Sequence, residues 1–324
     1  MQPVLQRKNF QVALLSMCTL MLAHCPAVFA ADSPTDNNAA QSSADSEDPK
    51  KEIEKLLAGF EHDWNAHNLD AVMAYYADDY VNNDGFDKKT IQKLTEELWK
   101  TYPDIKSSSL VKQIRIEGPY ASVESHDEAV GSTNQEMPGL GTKGELKSIS
   151  EGQLYCKHVG LHWRITGDRI DYEKIKVSYG AARQLEPIFA APEQVKSGKQ
   201  FSARLEVDLP TGLGATGSIS QTSVSFPLPK ISDKYKQIGD PLTDRPLLER
   251  VMTANSKNRN ELLMATVVLT NASGNSIMGV VMLTRRLNVV PIMEDDASKA
   301  ENTTAQASTS EHKIEEQTSP NQVK

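Results

Sequence analysis

Trp64-Asn-Ala-His-Asn-Leu-Asp-Ala-Val-Met-Ala-Tyr-Tyr-Ala-Asp-Asp-Tyr-Val81 is the stretch on which the reading of the fold turns. Trp64 closes an apolar stripe, Ile53, Leu56, Leu57, Phe60 and Trp64, whose spacing predicts an amphipathic helix. Asn65 to Asn68 break the pattern. Asn68 can cap a second helix carrying Leu69, Val72, Met73 and Tyr76 on one side. Asp78-Asp79 ends that helix, and Tyr80-Val81 predicts a short strand.

Toward the C-terminus, Asn83-Asp84-Gly85 predicts a turn. Asp87 then caps a third helix with Ile91, Leu94, Leu98 and Tyr102 inward, ending before Pro103. Four long strands follow, at residues 105–116, 120–133, 144–158 and 161–177. The links between them are Glu117-Gly118-Pro119, Met137 to Gly141 and Val159-Gly160. Links this short join antiparallel neighbours. Helices followed by a curled antiparallel sheet give an α+β fold, a cone-shaped roll with an open mouth, over residues 50–183.

The pattern Leu69-x-x-Val72-x-x-x-Tyr76-x-x-Asp79 resembles the second helix of nuclear transport factor 2-like domains, the SnoaL-like and ketosteroid isomerase-like superfamily. Leu161-His-Trp-Arg-Ile165, with Gly167-Asp168-Arg169 after it, is similar to the family's closing strand. The resemblance spans about 130 residues. It implies a hollow that holds a small molecule, docks a partner or performs cofactor-independent acid–base chemistry, because the superfamily contains isomerases, dehydratases, cyclases, binders and assembly domains.

Proton abstraction beside a carbonyl needs a carboxylate in a mostly apolar pocket and a donor for the developing oxyanion. Alternation from Ala121 and Val123 puts Ser125, Asp127 and Ala129 on one face, taken as the inner one, while a one-residue slip would admit His126 instead. Asp127 is the candidate base. Tyr102 is the candidate donor, with Tyr76, Tyr80 and Tyr155 as further hydroxyls. Trp64, Tyr76, Tyr80, Trp99, Val123, Ser125 and Trp163 are the expected pocket lining. A pocket filled by the three tryptophans would favour a purely structural or protein-binding role.

Cys156, His158 and His162 are metal-type side chains, but Cys-x-His-x3-His is a weak spacing, and neither metal nor cofactor is expected. Cys156 reads as a small buried hydrophobe, and His62 and His67 as surface residues. Gly212-Leu-Gly-Ala-Thr-Gly217 follows Leu209-Pro210 and opens no helix, so it reads as a hairpin loop rather than a phosphate cradle.

The flanks speak to address. Arg7 and Lys8, the apolar run Val12 to Ala23 and the small-residue site Val28-Phe29-Ala30 read as a signal peptide cut near Ala30, hence a secreted or periplasmic protein. The run is short for a membrane span. His24 before Cys25 argues against a lipoprotein. The formal charge is −8 and becomes −10 without Arg7 and Lys8. With no basic block, nucleic acid is not an expected partner. Residues 31–49 and 294–324 are polar and low in large apolar side chains, so both read as disordered, the first as a linker and the second as a tail.

Between those flanks, residues 184–198 read as a linker, and residues 199–293 as a smaller mainly-β domain. That domain has strands at 201–209, 218–226, 262–270 and 277–290, and a short helix at 246–254. The function this supports is an exported non-catalytic binding module that takes a small apolar ligand or a protein partner. A ketosteroid-isomerase-type lyase or isomerase is the alternative, and homodimerisation through the sheet a further expectation.

Overall fold

The computed structural model describes residues 48–224, 240–242 and 247–292. The leader, most of the first polar segment and the C-terminal tail lie outside the described residues. Three helices come first: α1 (Pro49–Asn65), α2 (Leu69–Tyr75) and α3 (Lys88–Thr101). Asp48 and Pro49, assigned above to the linker, instead open α1. Asp48 accepts from the Lys50 N–H, and Pro49 occupies the first turn, where its missing N–H costs nothing. Asn68 caps α2 through Ala71 N, and Asp87 caps α3 through Thr90 N.

Four strands follow in a meander: β1 (Lys106–Glu117), β2 (Tyr120–Met137), β3 (Thr142–Val159) and β4 (His162–Gly180). Each pairs antiparallel with the next. The helices cover one face of this curved sheet. Ile53, Leu56, Val123, Cys156, Trp163 and Ile165 close the narrow end. Val72, Met73, Trp99, Tyr102, Ile105 and Val177 form a second cluster farther along. Tyr80-Val81 forms no strand. Tyr76 and Val81 make single bridges, to Ile165 and Asp87, and the segment serves as a strap between α2 and α3.

Beyond β4 come β5 (Ile188–Ala190), β6 (Gln194–Lys196), β7 (Gln200–Glu206), β8 (Leu213–Ser223), β9 (Asp240–Leu242), β10 (Leu247–Thr253), β11 (Glu261–Asn271) and β12 (Ile277–Val290). Three expectations need correction. Residues 184–198 are not a linker: β5 pairs with β7, β6 with β12, and Leu185 and Phe189 are buried in the core. Residues 247–253 are strand β10, paired with β7, and not a helix. Leu213 to Gly217 lie within β8 rather than in a loop, with Gly214 and Gly217 directly opposite Thr270 and Val267 of β11.

Strands β11 and β12 form the expected hairpin, and β12 then lies antiparallel against β4, Gly279–Arg285 facing Gly180–Lys174. The meander and the later strands therefore share one sheet, ordered β1-β2-β3-β4-β12-β11-β8-β9, beside a small sheet β10-β7-β5. Gly180, at φ 57°, ends β4, and a Cβ there would sit 2.6 Å from the Met278 carbonyl oxygen. Among the described residues no helix is long and apolar enough to cross a membrane.

Candidate functional site

Between α1 and the inner face of β1–β4 lies a cavity of about 550 Å³. Leu57, Phe60, Trp64, Tyr76, Leu98, Ile105 and Leu146 supply much of its apolar wall. The exposed lining residues Glu54, Ala58, Ser108, Ser109 and Glu128 mark its opening.

Register explains the polar part. Ser109 pairs with Asp127, Asp127 with Ser150, and Ser150 with Glu173, so one row of side chains crosses all four strands on the cavity side. At roughly 4.8 Å per strand, the carboxyls of Asp127 and Glu173 belong to backbones about 10 Å apart. Asp127 is half-buried and occupied, accepting from the hydroxyls of Ser109 and of Ser125, the latter at 2.9 Å. Glu173 differs. It is 6% exposed, and its Oε2 is buried with no hydrogen-bond partner. Burial pushes its pKa up to about 7, against the pull of Arg286.

Asp168, on the same strand, also lines the cavity, and the Tyr80 hydroxyl donates to it. Burial raises the Asp168 pKa, partly offset by that hydrogen bond. The phenols of Tyr80 and Tyr76 are pushed above their ordinary value by burial first and by the Asp168 charge second. Tyr76 meets Phe60 and Tyr80 edge-on, with ring centroids 5.8 and 4.8 Å apart.

Behind this row lies a buried ion pair. Arg286 of β12 has a fully buried side chain and grips Asp84 through both terminal nitrogens, at 2.5 and 3.0 Å. Its Nε donates to Asn288, and Asn260 donates to Asp84. Asn82 holds the Asp84 turn by accepting from the Asp84 and Phe86 N–H groups. The guanidinium is thus committed to Asp84, which leaves Glu173 without a dedicated counter-ion.

Of the residues nominated from sequence, Trp64, Tyr76, Ser125 and Asp127 line the cavity. Tyr80 reaches it through Asp168. The others lie elsewhere. Tyr102, the candidate donor, is the C-cap of α3 and packs in the second core cluster; burial raises its pKa, with Tyr179 adding to the rise. Trp99 stacks on His67, centroids 4.7 Å apart, which places His67 half-buried rather than on the surface. Val123 and Trp163 fill the narrow end, where Trp163 Nε1 donates to Glu52. Cys156 lies beside them, its thiol pushed up to about 12 by burial. His158 stands edge-on to Trp163, His162 is exposed, and among the described residues no three metal-type side chains converge.

Sequence reasoning passed over Glu173, Asp168, Asp84 and Arg286. Charged residues inside apolar strand segments, Glu173 within Tyr172-Glu-Lys-Ile175 and Arg286 within Thr284-Arg-Arg-Leu287, are the signal the sequence offers.

No family model matches this chain, and no curated protein matches it significantly. Among solved structures, a protein of Bdellovibrio bacteriovorus is 11% identical, covering 37% of this chain and 39% of its own, at a TM-score of 0.30. An LEH-like epoxide hydrolase of M. tuberculosis is 18% identical, covering 37% and 77%, at 0.25. A hexachlorocyclohexane dehydrochlorinase, LinA-type3, of Novosphingobium barchaimii is 10% identical, covering 39% and 88%, at 0.29. The chain thus spans well under half of the Bdellovibrio protein's length.

Proposed function

We propose that this nuclear transport factor 2-like domain, residues 49–180, is a binding module that holds a small, mostly apolar molecule, with one polar group engaged by Glu173. The observation that carries this reading is a largely apolar cavity bordered by Glu173, a buried carboxyl with no dedicated counter-ion and one unpartnered oxygen. The volume falls in the range of small-molecule sites, about 300–1,000 Å³. The leader suits export to the periplasm or beyond. Residues 199–293 add a second, mainly-β part, whose core of Phe201, Leu205, Ile219, Leu263 and Leu283 also takes in Ala182, Leu185 and Phe189.

A second reading is favoured by the Glu173 pKa of about 7. Such a group is poised to abstract a proton at neutral pH, with the Tyr76 hydroxyl as donor, in a cofactor-independent lyase or isomerase. In that reading Glu173, and not Asp127, is the base.

Two measurements separate the readings. Native mass spectrometry of the purified full chain is expected to show a retained small molecule, released on unfolding. Deuterium exchange at the α-carbon of an enolisable aryl ketone, followed by NMR, is expected to be no faster than in buffer. Exchange that rises with an apparent pKa near 7 and disappears in Glu173→Gln would transfer the case to the enzyme.

A further inference from the structure

The charges around the cavity are strongly one-sided. Seven acidic residues border it against one arginine. Glu54, Glu61 and Asp127 stand toward the opening, whereas Glu128 and Glu151 follow inward-facing Asp127 and Ser150 in their strands and turn to His126 and Lys112 on the other face. Asp168 and Glu173 lie on β4. The one guanidinium, Arg169, turns to Asp171, with Nε 2.8 Å from Oδ1. Lys112 neutralises Glu151 from outside the cavity, where His126 also hydrogen-bonds to it. Arg286, the cation behind Glu173, is already held by Asp84. What remains is a negative interior with no free cation among the described lining residues to balance it.

An acidic lining alone would mean little, since carboxylates facing water need no ligand. Glu173 is the independent observation. It is buried, its Oε2 has no partner, and the side chain lies on the cavity wall. Opposite, Phe60, Trp64 and Tyr76 present aromatic rings to the same space. Aromatic faces attract cations, and a buried carboxylate reaches its lowest energy with a charged donor beside it.

We propose that the ligand is an organic cation: a protonated amine on a compact apolar body, its ammonium ion-paired with Glu173 and its body against the aromatic wall. This rests on the binding-module reading and narrows it to a chemical class. The ammonium supplies the counter-charge that Arg286 does not provide. Ser150, next to Glu173 in the cross-strand row, is placed to accept a second N–H. The acids at the opening draw cations inward and repel carboxylates.

The test uses the purified full chain and three matched probe series sharing the same aryl or cycloalkyl bodies: primary amines, alcohols and carboxylates. Binding is read by calorimetry. At about pH 8 each amine is expected to bind at least about tenfold more tightly than its alcohol, the carboxylates more weakly than either. At about pH 5 Glu173 is protonated while the amine stays charged, so the advantage is expected to shrink. In Glu173→Gln it is expected to vanish while alcohol affinity is kept. Alcohols equal to amines at about pH 8 would overturn the cation inference and leave the small-molecule cavity standing. An amine advantage that survives Glu173→Gln would overturn Glu173 as its anchor. No binding in any series would overturn both.

Discussion

Arg286 and Asp84 join residues 202 positions apart. With a guanidinium fully buried and the carboxylate nearly so, the pair gains its attraction only after a large desolvation cost. Removing one partner strands the other. Arg286→Met alone is therefore expected to destabilise the fold by about 3–5 kcal/mol in urea titrations, and adding Asp84→Leu to restore a large part of it. Glu173 sets a pH dependence with the opposite sign to most carboxylates. Its folded pKa, about 7, lies above the ordinary 4.5. Between those values the folded protein holds a proton that the unfolded chain releases, so stability from this group falls as pH rises through that window. Above it the buried charge weighs fully against folding. Glu173→Gln is expected to stabilise the protein at pH 8 relative to pH 5 by on the order of 3 kcal/mol, measured as the difference between denaturant midpoints at the two pH values.

At the scale of elements, β4 decides what faces the cavity. Its register against β3 slips twice: Tyr155 and Cys156 face Gly167 and Ile165, and Glu151 and Gly152 face Tyr172 and Ile170. Thr166 and Asp171 are the extra residues. The first bulge flips the alternation, so that Asp168 and Ile170 point where Trp163 and Ile165 pointed. The second restores it for Glu173, Ile175 and Val177. Gly152 makes room for the second bulge, since a Cβ there would sit 2.2 Å from the Arg169 carbonyl oxygen. Gly152→Ala is expected to cost on the order of 3 kcal/mol in chemical denaturation, because the obstacle is backbone rather than a movable side chain. A shift of the denaturation midpoint within error would show that β4 can retreat. These bulges also set the limit of what the sequence reveals. Helix stripes, caps and the four-strand meander were legible because period and punctuation are local. Ser125 and Asp127 could be placed by simple alternation, since the pairing of β2 with β3 runs unbroken from Tyr120 to Ser132. Glu173 and Asp168 could not, because a bulge leaves no mark in hydropathy. Arg286 was hidden for another reason: its partner lies in a turn far away in sequence.

Across the whole molecule, the joint between β4 and β12 is the feature with the widest reach. Val280 and Met282 of β12 pack with Met137 and Val177 of the meander, so the second cluster is built from both halves. A chain ending at Gly198 would leave Lys174 to Gly180 as an unpaired edge above an exposed apolar face. Such a fragment is expected to self-associate in size-exclusion chromatography; a stable monomer would show that the cone stands without its continuation. The narrow end carries a further consequence. In protein lacking residues 1–30, Cys156 is the single thiol, sealed between Val123, Trp163 and Ile165. A sulfhydryl reagent can reach it only when α1 lifts from the sheet. Its alkylation rate therefore clocks the breathing of the native fold from within, with no introduced dye or label.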